Sequence, residues 1–536
     1  MQRLAGRIML LWGVRRALLA LAAGAFGVLA LPPFNVFAAL FVSFTLLVWL
    51  IDGATGNPAG SIFSRLRSAF WTGWLFGFGY FVAGLWWLGH ALMIDAEEFA
   101  WALPLAVFGL PAFLALYYGL AAVIARILWS DGMGRIAALA LGFGLAEWLR
   151  SFLATGFPWN AVGYGAMPVP VMMQSVHVIG LFGVSTLAVF VFAAPALLGT
   201  RRGLVPGIGL AALLFIAHFG YGAYVLNQPE PQNPEPAVTV RLVQPMIDQA
   251  KKIDDTERDS IFEEHLALSV SPLKEGEKRP DIIVWPETSV PFILTENEDA
   301  LTRIADTLQD GQVLIAGAVR AEDMGPGLEP RYYNSVYAID DKGQIVSASD
   351  KVHLVPFGEY LPFEDLWRSL GVDKAIADMP GGFSAAARRR LLTLPDGLSF
   401  YPLICYEAIF PEEITPEIGK ASAILNVTND AWFGDTPGPY QHFQQARIRA
   451  VEEGVPLIRS ANSGISAVID ARGHIVAGLD FNQKATIEAT MGGKVASSFD
   501  AGSRKNNFWL IIFGATLIAG ISRQGFIKGS ELTKNP

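Results

Sequence analysis

Seven apolar stretches fill most of the first 226 residues, at 13–31, 34–51, 69–93, 101–128, 134–153, 171–198 and 204–226. Each comes near or exceeds the roughly 20 apolar residues a helix needs to cross the hydrocarbon core of a bilayer. Lipid offers the backbone no hydrogen-bond partner, so such stretches must close their own bonds as helices. An eighth, near 506–521, opens with Asn507-Phe508-Trp509 and closes before Arg523. The chain is 536 residues long, 52% hydrophobic and 17% charged, with a mean hydropathy of +0.38. Soluble proteins carry about a quarter charged residues, and the deficit falls in this first part, because 229–500 has ordinary globular composition. A membrane part and a water-soluble part are therefore expected.

The N-terminus imitates a signal peptide, with Arg15 and Arg16 ahead of an apolar run over 17–31. Further spans follow it, so it is read as a retained first span. Pro32-Pro33 divides it from the second, since proline cannot continue a helix interior. Basic residues set orientation. Arg3, Arg7, Arg15 and Arg16 precede the first span, Arg65 and Arg67 the third, Arg126 and Arg135 flank the fourth–fifth turn, and Arg201 and Arg202 the sixth–seventh. Arg523, Lys528 and Lys534 follow the last; Arg504 and Lys505 are the exception. With about eight transmembrane helices, this predicts both termini in the cytoplasm and the soluble domain outside it.

Residues 227–236 are proline-rich and read as an extended linker. Beyond them come short β-like runs at 238–243, 282–285, 313–319, 335–339, 398–405, 423–427 and 465–469, with helical stretches at 255–271, 298–309 and 440–453. Strands alternating with helices and hairpins predict a layered α/β domain. The expected organisation is 1–226 helical spans, 227–236 linker, 237–500 layered α/β domain, and 501–536 a final span and tail. No internal repeat is visible in the sequence. The net charge of −9 and pI near 5.4 argue against a nucleic-acid partner, because phosphate binding needs a basic surface.

Three segments of the soluble part share a design in which a β-like run ends in a polar residue flanked by proline, glycine or aromatics. They are Ile282-Ile283-Val284-Trp285-Pro286-Glu287, Lys351 with 353–359, and Pro402-Leu403-Ile404-Cys405-Tyr406-Glu407. Sites in layered α/β domains collect at the carboxyl ends of strands. Cys405 is the chain's one cysteine, and a lone cysteine is commonly a small buried hydrophobe. A carboxylate and an amine in matching settings favour a second reading, a nucleophile that needs a base or cation to be activated. Glu287 would take the thiol proton. Lys351, with the Tyr406 backbone N–H, would stabilise the thiolate and the oxyanion.

Trp285-Pro286-Glu287, Lys351 and Cys405-Tyr406-Glu407 resemble the Glu-Lys-Cys triad of the nitrilase superfamily. Tyr333-Asn334-Ser335, the run 353–362, the segments 429–434 and 459–466, and the membrane-part motifs Leu31-Pro32-Pro33-Phe34 and Phe157-Pro158-Trp159 resemble more specifically the apolipoprotein N-acyltransferase family. The similarity covers nearly the whole chain in order. It implies a nitrilase-like α-β-β-α sandwich on the extracytoplasmic side of a bacterial inner membrane, attached to the helical part. It implies Glu287 as general base, Lys351 as oxyanion and thiolate partner, Cys405 as nucleophile, Glu359 as a second essential carboxylate, and Tyr406 and Glu407 as needed neighbours. Trp432 is a candidate lid residue, or a packed aromatic in a turn. The implied reaction is ping-pong. A phospholipid acyl chain passes to Cys405 as a thioester and then to the N-terminal amine of a diacylglyceryl-modified lipoprotein. A site at the bilayer brings two lipid substrates together. No cofactor or metal is implied, and a monomer is expected.

Two positions depart from the family pattern. Met246 stands where an asparagine is usual, and Lys252-Ile253-Asp254 lacks the expected tryptophan; both bear on one loop over the site. His353 and His442 lack metal-ligand spacing and are read as hydrogen-bonding groups. Glu147 and Arg150 are either an interfacial ion pair or a lipid-headgroup contact. The aromatics over 71–87 are read as packing and anchoring. Two other functions remain open: a membrane-tethered amidase of nitrilase type, and a membrane sensor or transporter with a vestigial site.

Overall fold

The computed structural model describes residues 1–55, 61–369, 382–496 and 499–532. Lys534, used above for orientation, lies outside them. The chain divides into two compact units. One comprises Met1–Gln228, Thr436–Gln444 and Ser498–Pro536; the other comprises Pro229–Asp435 and Gln445–Ser497.

In the first unit, helices Gly13–Gly27, Ala39–Asp52, Ile62–Leu85, Leu110–Ile127, Met133–Arg150, Val176–Ala193, Leu204–Leu226 and Ala501–Leu532 occupy the apolar stretches. Five segments among the described residues are long and apolar enough to cross a bilayer: Gly13–Ala30, Leu66–Met93, Ala96–Ile127, Val176–Gly199 and Leu204–Leu226. Ala39–Asp52 is apolar but only 14 residues long, and Met133–Arg150 carries Arg135, Glu147 and Arg150. Much of the apolar surface faces outward, as at Val205, Leu213 and Ile216 on Leu204–Leu226. A helix in water would bury that face. Between helices, small residues allow close approach. A Cβ on Gly24 would fall on the carbonyl oxygen of Phe76, and one on Gly79 on that of Leu21.

Polar groups in this unit turn inward. Asp52 accepts from Arg135 at 2.8 Å and from the Trp129 indole at 2.9 Å. Glu147 and Arg150 are fully buried. Glu147 accepts from the Tyr118 hydroxyl (3.0 Å) and the Val162 N–H (2.9 Å), while Arg150 donates to the carbonyls of Phe157 and Trp159. These partners favour a structural role over the headgroup reading. Residues 436–444 cluster with the helices although the residues on either side of them in sequence belong to the second unit. Gln441 Oε1 accepts from Trp159 (2.9 Å), Asn160 (3.1 Å) and Trp87 (3.3 Å), and His442 packs on the Trp159 ring.

Among the described residues the second unit contains twelve strands: β1 (Thr239–Gln244), β2 (Ile282–Val284), β3 (Val313–Glu322), β4 (Arg331–Asp340), β5 (Ile345–Asp350), β6 (Leu392–Thr393), β7 (Ser399–Ile404), β8 (Ala423–Thr428), β9 (Leu457–Ala461), β10 (Ser466–Ile469), β11 (Ile475–Leu479) and β12 (Ala485–Thr490). They form two six-stranded sheets, ordered β12-β1-β2-β3-β4-β5 and β11-β10-β9-β8-β7-β6. In each, a parallel trio (β1-β2-β3; β7-β8-β9) is flanked by antiparallel strands. Parallel strands are covered on both faces, and β1, β2, β7, β8 and β9 are buried along their whole length. Helices Arg258–Ser269 and Glu298–Thr307 cover the first sheet. Phe262, Leu266, Ala300 and Ile304 meet Ile283, Trp285, Leu314 and Ile339 there. Each large apolar side chain so buried contributes roughly 1.5–3 kcal/mol. The sheets are stitched together by Ser460, whose hydroxyl donates to the carbonyls of Val243 (3.1 Å) and Val284 (3.2 Å).

Candidate active site

Loops at the carboxyl ends of strands bring the sequence candidates together inside the second unit. Glu287 follows β2. Its turn is fixed by Gly317 on β3, whose N–H donates to the Pro286 carbonyl at 3.2 Å. A Cβ on Gly317 would lie 2.5 Å from the Pro286 oxygen and 2.7 Å from the Glu287 Cα, so only glycine allows this approach. Lys351 follows β5, its N–H bonded to the Asn334 carbonyl at 2.8 Å. Glu359 sits in the loop beyond, folded back so that its carboxylate accepts from the Val355 N–H at 2.8 Å. Cys405 follows β7 and opens the short helical turn Cys405–Ile409 with φ of 51°. A side chain rarely occupies that left-handed region, and such strain concentrates at functional sites.

Three charged groups converge. The Lys351 ammonium lies 2.9 Å from Glu359 Oε1 and 3.5 Å from Glu287 Oε1. All three side chains are buried. Burial alone would lower the Lys351 pKa, but the charges of Glu359, Glu287 and Cys405 reverse this and hold it well above its ordinary value. Cys405 shifts upward. Burial is the main cause, the Glu287 charge adds to it, and Lys351 opposes it. The resting group is thus a thiol in the field of a carboxylate.

Asn334, named in the sequence only as part of a motif, joins the carboxylates. Its amide nitrogen donates to Glu287 Oε1 at 2.7 Å and to Glu359 Oε1 at 2.9 Å. The second Glu287 oxygen accepts from the Asn429 N–H at 3.0 Å. Asn429 follows β8 and donates through its side chain to Gln249 at 2.6 Å.

Glu407 is not part of this charged cluster. Its carboxylate accepts from the N–H groups of Val352 (2.8 Å), His353 (3.1 Å) and Ile404 (2.7 Å), and from Arg389 (2.5 Å). Burial would raise its pKa, but the Arg389 charge and these donors hold it below the ordinary carboxylate value. It ties the strand before Cys405 to the loop after Lys351. Arg389 is a partner the sequence did not disclose. The Tyr406 ring packs against Phe410 and His353, and His353 stacks on Phe410 and bonds Glu413 at 2.5 Å. Trp432 lies on the turn Asp430–Phe433, just over a third exposed. Asp430 beside it is buried against Arg459 at 2.7 Å.

Met246 adopts φ of 57°, a conformation asparagine accepts more readily than other side chains. Its loop nevertheless holds its shape through Asn462. The Met246 N–H donates to the Asn462 carbonyl (3.0 Å), the Ile247 N–H to Asn462 Oδ1 (2.8 Å), and Asn462 Nδ2 to the Ile247 carbonyl (2.8 Å). The side chain of Ile253 lies outside the described residues.

Comparison with known proteins adds names to this geometry. Residues 239–498 match the family described as carbon-nitrogen hydrolase, and residues 23–194 match the apolipoprotein N-acyltransferase N-terminal domain. A protein of Rhizobium rhizogenes strain K84 named apolipoprotein N-acyltransferase is 68% identical over 531 residues, covering 98% of this chain and 99% of its own. One of the same name from Agrobacterium fabrum strain C58 is 64% identical over 528 residues, with 98% and 99% covered. Among solved structures, a carbon-nitrogen hydrolase from Helicobacter pylori G27 aligns at 15% identity over 51% of this chain and 93% of its own, with a TM-score of 0.33.

Proposed function

The chain belongs to the apolipoprotein N-acyltransferase family, and from that premise we propose that Cys405 carries the acyl group as a thioester between a phospholipid donor and a diacylglyceryl-modified lipoprotein acceptor. The observation that carries this reading is the buried convergence of Glu287, Lys351 and Glu359 in whose field the strained Cys405 sits.

In the first half-reaction Glu287 takes the Cys405 proton as Sγ attacks the ester carbonyl of the phospholipid. The oxyanion is stabilised by the Lys351 ammonium and the Tyr406 N–H, where preorganised donors act in a site shielded from water. Collapse breaks the ester C–O bond, and Glu287 returns the proton to the leaving lysophospholipid oxygen. In the second half-reaction the lipoprotein α-amine attacks the thioester, Glu287 takes the amine proton, and the Cys405 thiolate leaves and is reprotonated. Lys351 keeps its charge throughout because the Glu359 carboxylate stays beside it while Glu287 carries the proton. Glu359 and Asn334 keep Lys351 and Glu287 in register, Glu407 fixes the Cys405 turn, and Trp432 serves as a lid over the acyl chain.

The proposal includes a monomer in the bacterial inner membrane. About eight helices span it, 227–236 links to a catalytic domain over 237–500 on the periplasmic side, and 501–536 returns the chain to the cytoplasm. The test is to incubate the purified full chain with phospholipid carrying a labelled acyl chain and to weigh the intact protein. A hydroxylamine-sensitive adduct absent from Cys405→Ser supports the thioester. No adduct from any phospholipid together with ammonia release from small amides would overturn it in favour of an amidase. Silence in both assays would point to a sensor or transporter.

A further inference from the structure

One half-buried amine takes no part in the chemistry above. Lys252 lies in the helical turn Gln249–Ile253, and its Nζ donates to two consecutive backbone carbonyls, those of Glu287 (3.4 Å) and Thr288 (3.3 Å). Those carbonyls belong to the turn that carries Glu287. Thr288 there has φ of 45°, a conformation that costs a β-branched residue on the order of 1–3 kcal/mol and persists only where its surroundings enforce it. An ammonium, with three donors and a full charge, can accept the alignment of two carbonyl dipoles that would otherwise repel. The segment bearing Lys252 is itself tied to the site. Asp248 caps it through the Ala250 N–H at 2.8 Å, Gln249 accepts from the side chain of Asn429, and the Asn429 N–H donates to Glu287 Oε2. Glu287 is thus gripped at its carboxylate by Asn429 and at its backbone by Lys252, and both grips run through one short segment.

We propose that Lys252 is a positioning residue for acyl transfer, whose charged amine holds the Glu287–Thr288 turn so that the Glu287 carboxylate stays in place to deprotonate Cys405. The inference rests on the assignment of Cys405 and Glu287 made above.

The charge on Lys252 is sensitive to pH. Burial lowers its pKa and the Glu287 charge partly restores it, leaving it at about 8. Glu287 faces it from the end of β2. His265 faces it from helix Arg258–Ser269 and is held neutral by burial, at about 3. Asp248, Lys251 and Asp254 lie on its own segment, and Lys351 and Glu359 stand beyond Glu287. Lys351 and Cys405 are both shifted well upward. Raising the pH through about 8 therefore removes the Lys252 charge while those two keep their protons.

The experiment follows the first half-reaction alone, as the rate of acyl-enzyme formation by intact mass. It uses the full chain and phosphatidylglycerol micelles, a donor without a titrating amine, from about pH 6 to 10. The expected wild-type profile falls with a midpoint near 8. Lys252→Arg, charged throughout, moves that fall out of the range. Lys252→Met is about tenfold slower at neutral pH, the lower end for hydrogen bonds from a charged group, and its profile is flat. A merely structural lysine would change amplitude or thermal midpoint but leave the profile's shape. A Lys252→Met chain with wild-type rate and the same alkaline fall would overturn this inference alone. A wild-type chain that never loads would overturn the Cys405 assignment and this inference with it.

Discussion

The two sheets of the second unit repeat one order of pairings, yet they supply different halves of the site. The first sheet delivers charge: Glu287 after β2, Asn334 on β4 and Lys351 after β5, bound into one ionic network with Glu359. The second delivers geometry, with Cys405 held at positive φ after β7 and the Asn429 N–H presented after β8. Glu407 fixes the β7 turn by accepting from three backbone N–H groups and Arg389. Carboxylates thus do two unlike jobs in one small volume. Glu287 shares a charged cluster with Lys351 and Glu359, where we propose that it moves a proton, while Glu407 is fully engaged in holding backbone. Neighbouring acidic residues are told apart by their donors.

Substitutions that keep shape while removing one function should separate the halves. The largest effect is expected for Glu287→Gln. Its amide oxygen still accepts from Asn334 and Lys351 keeps Glu359, but the amide nitrogen meets the Asn429 N–H, so the thermal midpoint should fall modestly while acyl-enzyme formation slows by about 10²–10⁴, the span of general acid–base catalysis. Glu407→Gln should do the reverse in kind. It leaves Arg389 buried without its counter-charge, which costs about 3–5 kcal/mol, visible as a drop in the denaturation midpoint before any rate is measured. Asn334→Leu removes two hydrogen bonds to carboxylates, each worth about 1.5–3 kcal/mol when the partner is charged. Loading should fall by roughly 10–100-fold, with little change in the amount of lipid bound at saturation. The smallest effect is expected at the latched loop. Met246→Asn relieves a left-handed methionine, worth about 1 kcal/mol of added stability, and should leave the loading rate alone. A Glu287→Gln chain that unfolds, or a Glu407→Gln chain that is stable but inactive, would erase the contrast between the sheets.

Much of this was legible in the sequence for identifiable reasons. The β-like runs at 282–285, 313–319 and 423–427 correspond to β2, β3 and β8 because buried parallel strands read as continuous apolar runs. The helical stretch at 298–309 corresponds to Glu298–Thr307 through its amphipathic spacing. The two-residue β6, the largely exposed β11 and the part-exposed β12 escaped notice, since short or solvent-facing strands leave little pattern, and the buried β9 escaped because Arg459 and Ser460 interrupt its apolar run. The repeated pairing order of the two sheets escaped for another reason: hydrogen-bond topology is carried by the backbone and requires no repeated residues. Within the site, Glu287, Lys351 and Cys405 stood out as polar ends of β-like runs. Arg389, Gln249 and Asn429 did not, because their partners lie 18, 180 and 142 positions away. Met246 was legible as an anomaly, but that its loop is latched by Asn462 was not. Residues 436–444, which cluster with the helices, carry polar side chains in sequence like any exposed helix, and only their partners Trp87, Trp159 and Asn160 disclose otherwise.

If one thiol carries the acyl group between two lipid substrates, a chase of the isolated intermediate will show it. The chain is loaded with labelled phospholipid, freed of donor, and then mixed with a diacylated lipopeptide while the intact mass and the peptide product are followed together. The label is expected to leave Cys405 and reappear, mole for mole, as an amide on the peptide's terminal amine. An adduct that persists while product forms only when phospholipid is restored would contradict it.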